Sequence, residues 1–104
     1  MANYVFAYSG GRGVSADETE RNAQYAKWGQ WFEELGSAVV EGGAAMGTAR
    51  TVGPGGSVSE GGSRGLTGYS IVSAESLDAA VELAKACPVL EIGGAVDVYE
   101  AISM

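Results

Sequence analysis

Few side chains in this sequence belong to the types that carry out catalysis or bind metals. The 104 residues include no histidine and one cysteine, so a Ser or Cys nucleophile would lack its usual base and a metal would lack imidazole ligands. Cys87 stands at the end of an apolar helical stripe, where the helix dipole disfavours a thiolate. We therefore predict a packed, inert thiol, no metal site and no catalytic residue.

Two glycine-rich stretches resemble phosphate-binding loops only formally. Residues 11–16, Gly-Arg-Gly-Val-Ser-Ala, lie between a predicted strand and a predicted helix and fit a variant of the dinucleotide fingerprint. Asp17 and Glu18, however, place carboxylates where a pyrophosphate would sit. Residues 53–56, Gly-Pro-Gly-Gly, are not followed by Gly-Lys-Ser/Thr. The sequence thus predicts no nucleotide and no other cofactor.

Aromatic residues are the stronger candidates for a binding function. Trp28 and Tyr69, with other aromatic residues of the first helix, can line a pocket for a flat apolar ligand, although core packing is the commoner fate of such side chains. Arg50 lies in the glycine-rich region near the predicted rim of the sheet. Its guanidinium can hold a carboxylate, with a solvated arginine as the alternative.

The elements that must position these residues alternate as strand, helix, strand, twice over. The patterns predict strands at 3–8, 38–41, 68–72 and 96–102, helices at about 16–35 and 76–87, and an excursion hairpin at about 44–65. This order is the ferredoxin-like βαββαβ pattern, an α+β fold with an antiparallel sheet and both helices on one face. Residues 1–104 are read as one domain, because two halves would be too small to bury stable cores.

Capping and stripe signals set the predicted helices. Ser15 and Glu18 fit a capping box for the first helix, whose apolar stripe is read as Tyr25, Trp28, Phe32 and Leu35. Ser76 caps the second helix and Pro88 forbids its continuation. Its stripe is read as Leu77, Ala80, Val81, Ala84 and Cys87.

The hairpin segment carries a turn signal at its centre. Pro54 and Gly55 suit the middle of a type II turn, because proline presets the first backbone angle and glycine accepts the positive φ of the second position. Short strands are predicted on either side of this turn.

The first strand is apolar on both faces, since Val5 and Ala7 alternate with aromatic residues. Two helices cover only one face of a four-stranded sheet, so the other face requires a partner. A homodimer that pairs through the open face is the simplest prediction.

Composition excludes several classes of partner. The net charge is −7, with 18% charged and 46% hydrophobic residues, and the six basic residues are scattered, so nucleic acid is not an expected partner. No window is apolar enough to span a membrane. The single cysteine and the absence of a signal-like start lead us to expect a cytoplasmic location.

The pattern of elements and spaced glycines resembles the YCII-related family, also called DGPF-domain proteins. The resemblance rests on the run from Trp28 to Gly43, on Gly68-Tyr69-Ser70-Ile71-Val72, on Cys87-Pro88, and on the glycines before Val96-Asp97-Val98. It implies a ferredoxin-like fold that pairs as a dimeric α+β barrel, in a family whose general function is not established.

Departures from that family bear on chemistry. Members suspected of catalysis carry a histidine on the first helix and an aspartate before the proline that ends the second, and the corresponding positions here are Trp28 and Cys87. Indole has no usable basic lone pair, so this pair cannot form a proton-transfer dyad. Ser59-Glu60-Gly61-Gly62 stands where the Asp-Gly-Pro-Phe motif would be.

Three functions follow as hypotheses. The first is a homodimer that binds a small apolar or aromatic ligand, with Trp28, Arg50, Tyr69 and Cys87 as the residues at its site. The second is a cofactor-independent enzyme of isomerase or oxygenase type, which would need Glu41 or Glu60 inside the pocket with a raised pKa. The third is a regulatory or protein-interaction module linked to transcription, because members of the resembled family are often encoded beside sigma factors.

Overall fold

A computed structural model describes residues 1–62 and 64–103 of the chain, so Ser63 in the predicted hairpin segment and Met104 lie outside the described residues. The described part is α+β, with a four-stranded antiparallel sheet, a two-stranded sheet and two α-helices. The strands are β1 Ala2–Gly10, β2 Val39–Ala45, β3 Arg50–Val52, β4 Val58–Glu60, β5 Leu66–Ala74 and β6 Gly94–Ala101, and the helices are α1 Glu18–Leu35 and α2 Leu77–Ala84. The larger sheet has the order β2-β5-β1-β6, and β3 pairs with β4.

The core lies on one face of the larger sheet, under both helices. Alternate residues of β1, among them Phe6, pack there against α1 and α2. Phe6 stacks on Trp31 of α1 with 6.1 Å between ring centroids. The indole N–H of Trp31 donates to the carbonyl of Leu83 at 3.2 Å, so one side chain ties α1 to α2. The predicted α+β class with an antiparallel sheet is confirmed.

The opposite face of the larger sheet carries no helix of the described chain. Val5 and Ile71 face each other across β1 and β5 and are half-buried, and Ala7 is buried between its neighbours. Tyr99 of β6 is 54% exposed on this face. This surface, the open sheet face, is partly apolar.

The start of α1 differs from the predicted capping box. Asp17 is the N-cap, and its carboxylate accepts from the backbone N–H of Glu20 at 3.0 Å. The hydroxyl of Ser15 instead accepts from the Asp17 N–H at 3.1 Å and donates to the Glu20 carboxylate at 2.8 Å. The helix therefore begins at Glu18, because the nearer Asp17 supplies the cap.

The buried stripe of α1 also differs from the predicted one. Trp31, which the predicted stripe omitted, is 3% exposed, whereas Tyr25 is 56% exposed. Leu35 is buried and Trp28 is half-buried, as is Phe32. The buried residues Trp31 and Leu35 anchor the C-terminal half of the helix to the sheet.

In α2 the predicted cap is confirmed but the stripe is only partly correct. The Ser76 hydroxyl accepts from the Ala79 N–H at 3.1 Å. Ala80 and Ala84 are buried, while Leu77 is 48% exposed. Cys87 lies beyond the helix end, before the short 3-10 turn Pro88–Ile92. Neither helix within the described residues is long and apolar enough to cross a membrane.

The hairpin between β3 and β4 has the predicted turn. Gly55 has φ of 80° and ψ of 0°, and the N–H of Gly56 donates to the carbonyl of Gly53 at 3.0 Å. These are the angles and the hydrogen bond of a type II turn with Pro54 at its second position. Val52 pairs with Val58 beside the turn, and both are mostly exposed.

Candidate functional site

A cavity of about 400 Å³ lies between the central part of α1, residues 24–32, and the sheet. Its walls come from α1, from the C-terminal end of β1, from the neighbouring parts of β2 and β5, and from the turn Pro88–Ile92. Its size falls within the range of small-molecule sites. Most of its wall is apolar, with Tyr8, Trp28, Phe32, Val89 and Ile92 among its lining residues.

Trp28 is the central aromatic residue of the wall. It meets Tyr8 edge to face at 5.0 Å between ring centroids, and Phe32 lies 6.0 Å from it on the same helix. Trp31 supports it from the core side at 5.7 Å. These contacts hold the Trp28 ring in place while leaving it half-buried at the cavity wall, which suits contact with a flat apolar molecule.

A β-bulge shapes the side of the cavity formed by β2. The pairing between β2 and β5 shifts between Glu41 and Ala44, so Gly42 and Gly43 together oppose the single residue Ser70. Gly43 has φ of 83°, and a Cβ atom there would overlap the carbonyl oxygen of Tyr69. Only glycine fits this position, and the bulge turns the Gly42 carbonyl toward Ser70.

A hydrogen-bonded relay lies at the floor of the cavity. The Tyr8 hydroxyl donates to the Ser70 hydroxyl at 2.7 Å, and the Ser70 hydroxyl donates to the Gly42 carbonyl at 2.7 Å. Ser70 is fully buried and Tyr8 is 5% exposed. Burial raises the pKa of Tyr8 well above that of a free tyrosine, with a smaller opposing effect of the hydrogen bond to Ser70. The relay is therefore neutral at physiological pH.

Charged and amide groups lie at the rim of the cavity, each with a partner. The Lys27 ammonium pairs with the Glu91 carboxylate at 3.0 Å. Both side chains are exposed, so this ion pair contributes little to stability. The side chain of Gln24 accepts from the Ser15 N–H at 2.9 Å and donates to the Gly13 carbonyl at 3.2 Å. These bonds hold the loop between β1 and α1 over the cavity edge.

Two of the predicted site residues belong to this cavity. Trp28 contributes its ring, as described above. Tyr69 lines it as part of β5, but its side chain alternates with that of Ser70 and points to the open sheet face. There its hydroxyl donates to the Glu41 carboxylate at 2.7 Å, which raises the pKa of Tyr69.

The other two predicted site residues lie elsewhere. Cys87 is 1% exposed within the core, and burial raises the pKa of its thiol to about 11, so the sulfur is a neutral thiol at physiological pH. Arg50 lies on the hairpin, where its guanidinium pairs with Glu60 at 3.3 Å, and together with Arg64 it lines a separate groove. The structure thus places the Trp28 ring and the backbone of Tyr69 at one cavity, and it places the Tyr69 ring, Cys87 and Arg50 outside it.

Several residues of the cavity were not anticipated from the sequence, namely Tyr8, Ser70, Gly43, Lys27 and Glu91. A signal for Ser70 exists in retrospect. Between Gly68 and Val72, it is the polar residue at a position that alternation assigns to the core face, and a buried hydroxyl needs a partner.

Within residues 1–62 and 64–103, no cluster of three His, Cys, Asp or Glu side chains is placed to hold a metal ion. No model of a known protein family matches this chain, and no curated protein matches it either. The resemblance to YCII-related proteins therefore stays a prediction that rests on the residues quoted for it.

Proposed function

We propose that this protein binds a small apolar or aromatic molecule in the cavity between α1 and the sheet. The observation that carries the proposal is the aromatic wall around Trp28, above a floor whose two hydroxyl groups both donate to partners within the protein. A molecule that offers a flat apolar surface would bury that wall, and each square ångström of apolar surface removed from water contributes roughly 25 cal/mol.

We further propose a ferredoxin-like fold of the YCII-related type. The order of the larger sheet, β2-β5-β1-β6, with α1 and α2 packed on one face, supports the fold. Trp28 in the wall, where the resembled family carries its histidine, supports a binding site in place of a reactive one. Cys87 also fits a reducing, cytoplasmic location, because it is buried and unpaired.

A homodimer through the open sheet face is part of the same proposal. Val5 and Ile71 are half-buried there and Tyr99 is 54% exposed, although no helix of the described chain covers them. A second copy that presents the same face would bury these apolar residues on both subunits. Size-exclusion chromatography with light scattering tests this pairing, and a Tyr99→Asp variant should shift the protein to the monomer. A monomeric wild-type protein at all concentrations would refute it.

The enzyme alternative loses support from the positions of its carboxylates. Glu41 and Glu60 are both exposed; Glu41 accepts from Tyr69 on the open sheet face, and Glu60 pairs with Arg50 on the hairpin. The interaction alternative has one observation in its favour. The hairpin exposes Val52 and Val58 to 69% and 61%, which is a surface that a protein partner can cover.

The binding proposal is tested with naphthalene as the probe and the two indole N–H resonances as reporters. Titration should shift the Trp28 resonance progressively, because that ring lies in the cavity wall. The Trp31 resonance should move much less, because its N–H is bonded to the Leu83 carbonyl in the core. The Trp28→Ala variant should weaken naphthalene binding by about 10-fold or more, since it removes a large part of the contact area.

The matched control is Val52→Ala on the hairpin, remote from the cavity wall, which should leave the Kd within about twofold. Failure of naphthalene to move the Trp28 resonance up to its solubility limit would refute the proposal. An equal loss of binding in Trp28→Ala and Val52→Ala would also count against it, because the site would then not be this cavity.

A further inference from the structure

The relay at the cavity floor has a fixed direction. A carbonyl oxygen can only accept a hydrogen bond. The Ser70 hydroxyl must therefore be the donor to the Gly42 carbonyl, at 2.7 Å. The Tyr8 hydroxyl, 2.7 Å from Ser70, must then be the donor of that pair. The hydroxyl protons of Tyr8 and Ser70 are thus both used in hydrogen bonds within the protein. The raised pKa of Tyr8 keeps its hydroxyl protonated.

The direction of the relay decides what the floor can offer to a ligand. Of the two hydroxyl residues, only Tyr8 retains exposed surface, 5% against none for Ser70. Because the Tyr8 hydroxyl already donates its proton to Ser70, it can accept a hydrogen bond from a ligand but cannot donate one. A hydrogen-bond acceptor on the ligand would face a lone pair of the Tyr8 oxygen. To bind it, Tyr8 would have to give up its hydrogen bond to Ser70, which would leave the buried Ser70 oxygen without that donor.

Among the described residues that line the cavity, the one cation has a carboxylate partner that would compete with an acidic ligand. Lys27, the lysine that lines the cavity, already pairs with Glu91 at 3.0 Å. The formal net charge of the chain is −7, which repels anions at long range. Gln24 has both ends of its amide engaged by the backbone of the loop that precedes α1.

We infer that the cavity selects neutral aromatic molecules that carry an N–H or O–H donor, and that the Tyr8 oxygen accepts that donor. This inference rests on the proposed binding function and adds its specificity. The class includes indole-like and phenol-like molecules. It excludes aromatic carboxylates and heterocycles whose ring nitrogen only accepts.

Two isomers of the same size test the donor requirement directly. 3-Methylindole has an N–H and 1-methylindole has none, while their ring systems and apolar areas are matched. The wild-type protein should bind 3-methylindole about 3- to 10-fold more tightly, the ratio that one net hydrogen bond gives. In Tyr8→Phe the ratio of the two Kd values should fall to about one, because the acceptor is gone.

A second variant tests the direction of the relay. Ser70→Ala removes the acceptor of the Tyr8 proton, so the hydroxyl is free to turn its proton toward the cavity. Quinoline, whose ring nitrogen only accepts, should then bind more tightly to Ser70→Ala than to the wild type. The Trp31 indole resonance serves in each variant as the check that the core has folded.

The outcomes separate the inference from the binding proposal. If naphthalene binds but the two methylindoles bind equally well, the donor rule is wrong and the binding site stands. Tighter binding of indole-3-carboxylate than of 3-methylindole would also overturn the rule, because Lys27 would then be the recognition group. If none of these molecules binds, both the inference and the proposed function fail.

Discussion

The cavity side of the molecule and the β3–β4 hairpin both contain glycines with positive φ, but their surroundings differ. Gly43, beside the cavity, has φ of 83° and faces the carbonyl of Tyr69, so no Cβ atom fits there. Gly55, in the hairpin turn, has φ of 80° and nothing within 4 Å of where its Cβ atom would lie. The first glycine is required by its neighbours and the second only by its own backbone angles.

Side chains differ between the two regions in the same sense. On the cavity side, Trp31 is 3% exposed and joins both helices to the sheet. On the hairpin, the cross-strand pair Val52 and Val58 is mostly exposed, and β3 and β4 contact chiefly each other. The described chain as a whole is less compact than a typical domain of this length, because its radius of gyration is 15.0 Å against roughly 13 Å. We conclude that the cavity region is fixed by packing, whereas the hairpin is fixed by local turn geometry.

The largest effect is expected where packing is densest. Trp31→Ala should lower the free energy of unfolding by about 3–5 kcal/mol, because it empties a core site and leaves the Leu83 carbonyl without its donor. Val52→Ala on the hairpin should change it by about 0.5 kcal/mol or less. Urea unfolding followed by circular dichroism measures both values. Similar losses in the two variants would refute the contrast between the regions.

The two glycines give a second, matched comparison. Gly43→Ala should cost about 3 kcal/mol or more, because backbone strain is added to the overlap with Tyr69. Gly55→Ala meets no neighbour and should cost only about 1–2 kcal/mol, the penalty of a left-handed backbone angle. The same urea titrations apply. If Gly43→Ala were as mild as Gly55→Ala, the bulge would not be held as described.

A smaller effect is expected from pH, and it should arise on the cavity side. Burial raises the pKa of Cys87 from 9.0 to about 11, so the folded protein retains a proton that the unfolded chain releases. The resulting stability is complete below about pH 9 and is lost as pH rises toward 11, by roughly 2 kcal/mol. Burial of Tyr8 acts in the same direction.

Unfolding measured at intervals from pH 8 to 11 tests this dependence, with Cys87→Ala as the comparison. The variant should show a shallower decline with pH, whatever its stability at pH 8, because it lacks the thiol. An equally steep decline in the two proteins would mean that Cys87 does not contribute.

Local signals in the sequence predicted local structure well. Ser76 caps the second helix as expected, although the helix ends at Ala84 and not at the predicted Cys87, and Pro54-Gly55 forms the predicted type II turn. Each of these features depends on the backbone preferences of only one or two residues, so it can be predicted from the residue types alone. The predicted cap of α1 at Ser15 was wrong, because Asp17 caps a helix about as well as serine and lies directly before Glu18.

The candidate site was harder to predict because it depends on contacts between distant segments. The sequence predicts Trp28 as a wall residue. It gives no sign that Tyr8 bonds to Ser70, 62 positions away, or that Ser70 bonds in turn to Gly42. The bulge at Gly42 and Gly43 is visible in the sequence only as a glycine pair after the predicted strand at 38–41. Arg50 was placed at the site by its nearness to the sheet rim, whereas the hairpin carries it to Glu60.

The same bulge has a consequence for how the protein behaves in concentrated solution. β2 is an edge strand of the larger sheet, and a regular edge strand presents a row of unpaired backbone groups that can template another strand. The paired glycines interrupt that row with an irregular segment in which a left-handed residue replaces flat pleating. We therefore expect this edge to resist strand-by-strand aggregation and to leave the open sheet face as the surface for orderly assembly.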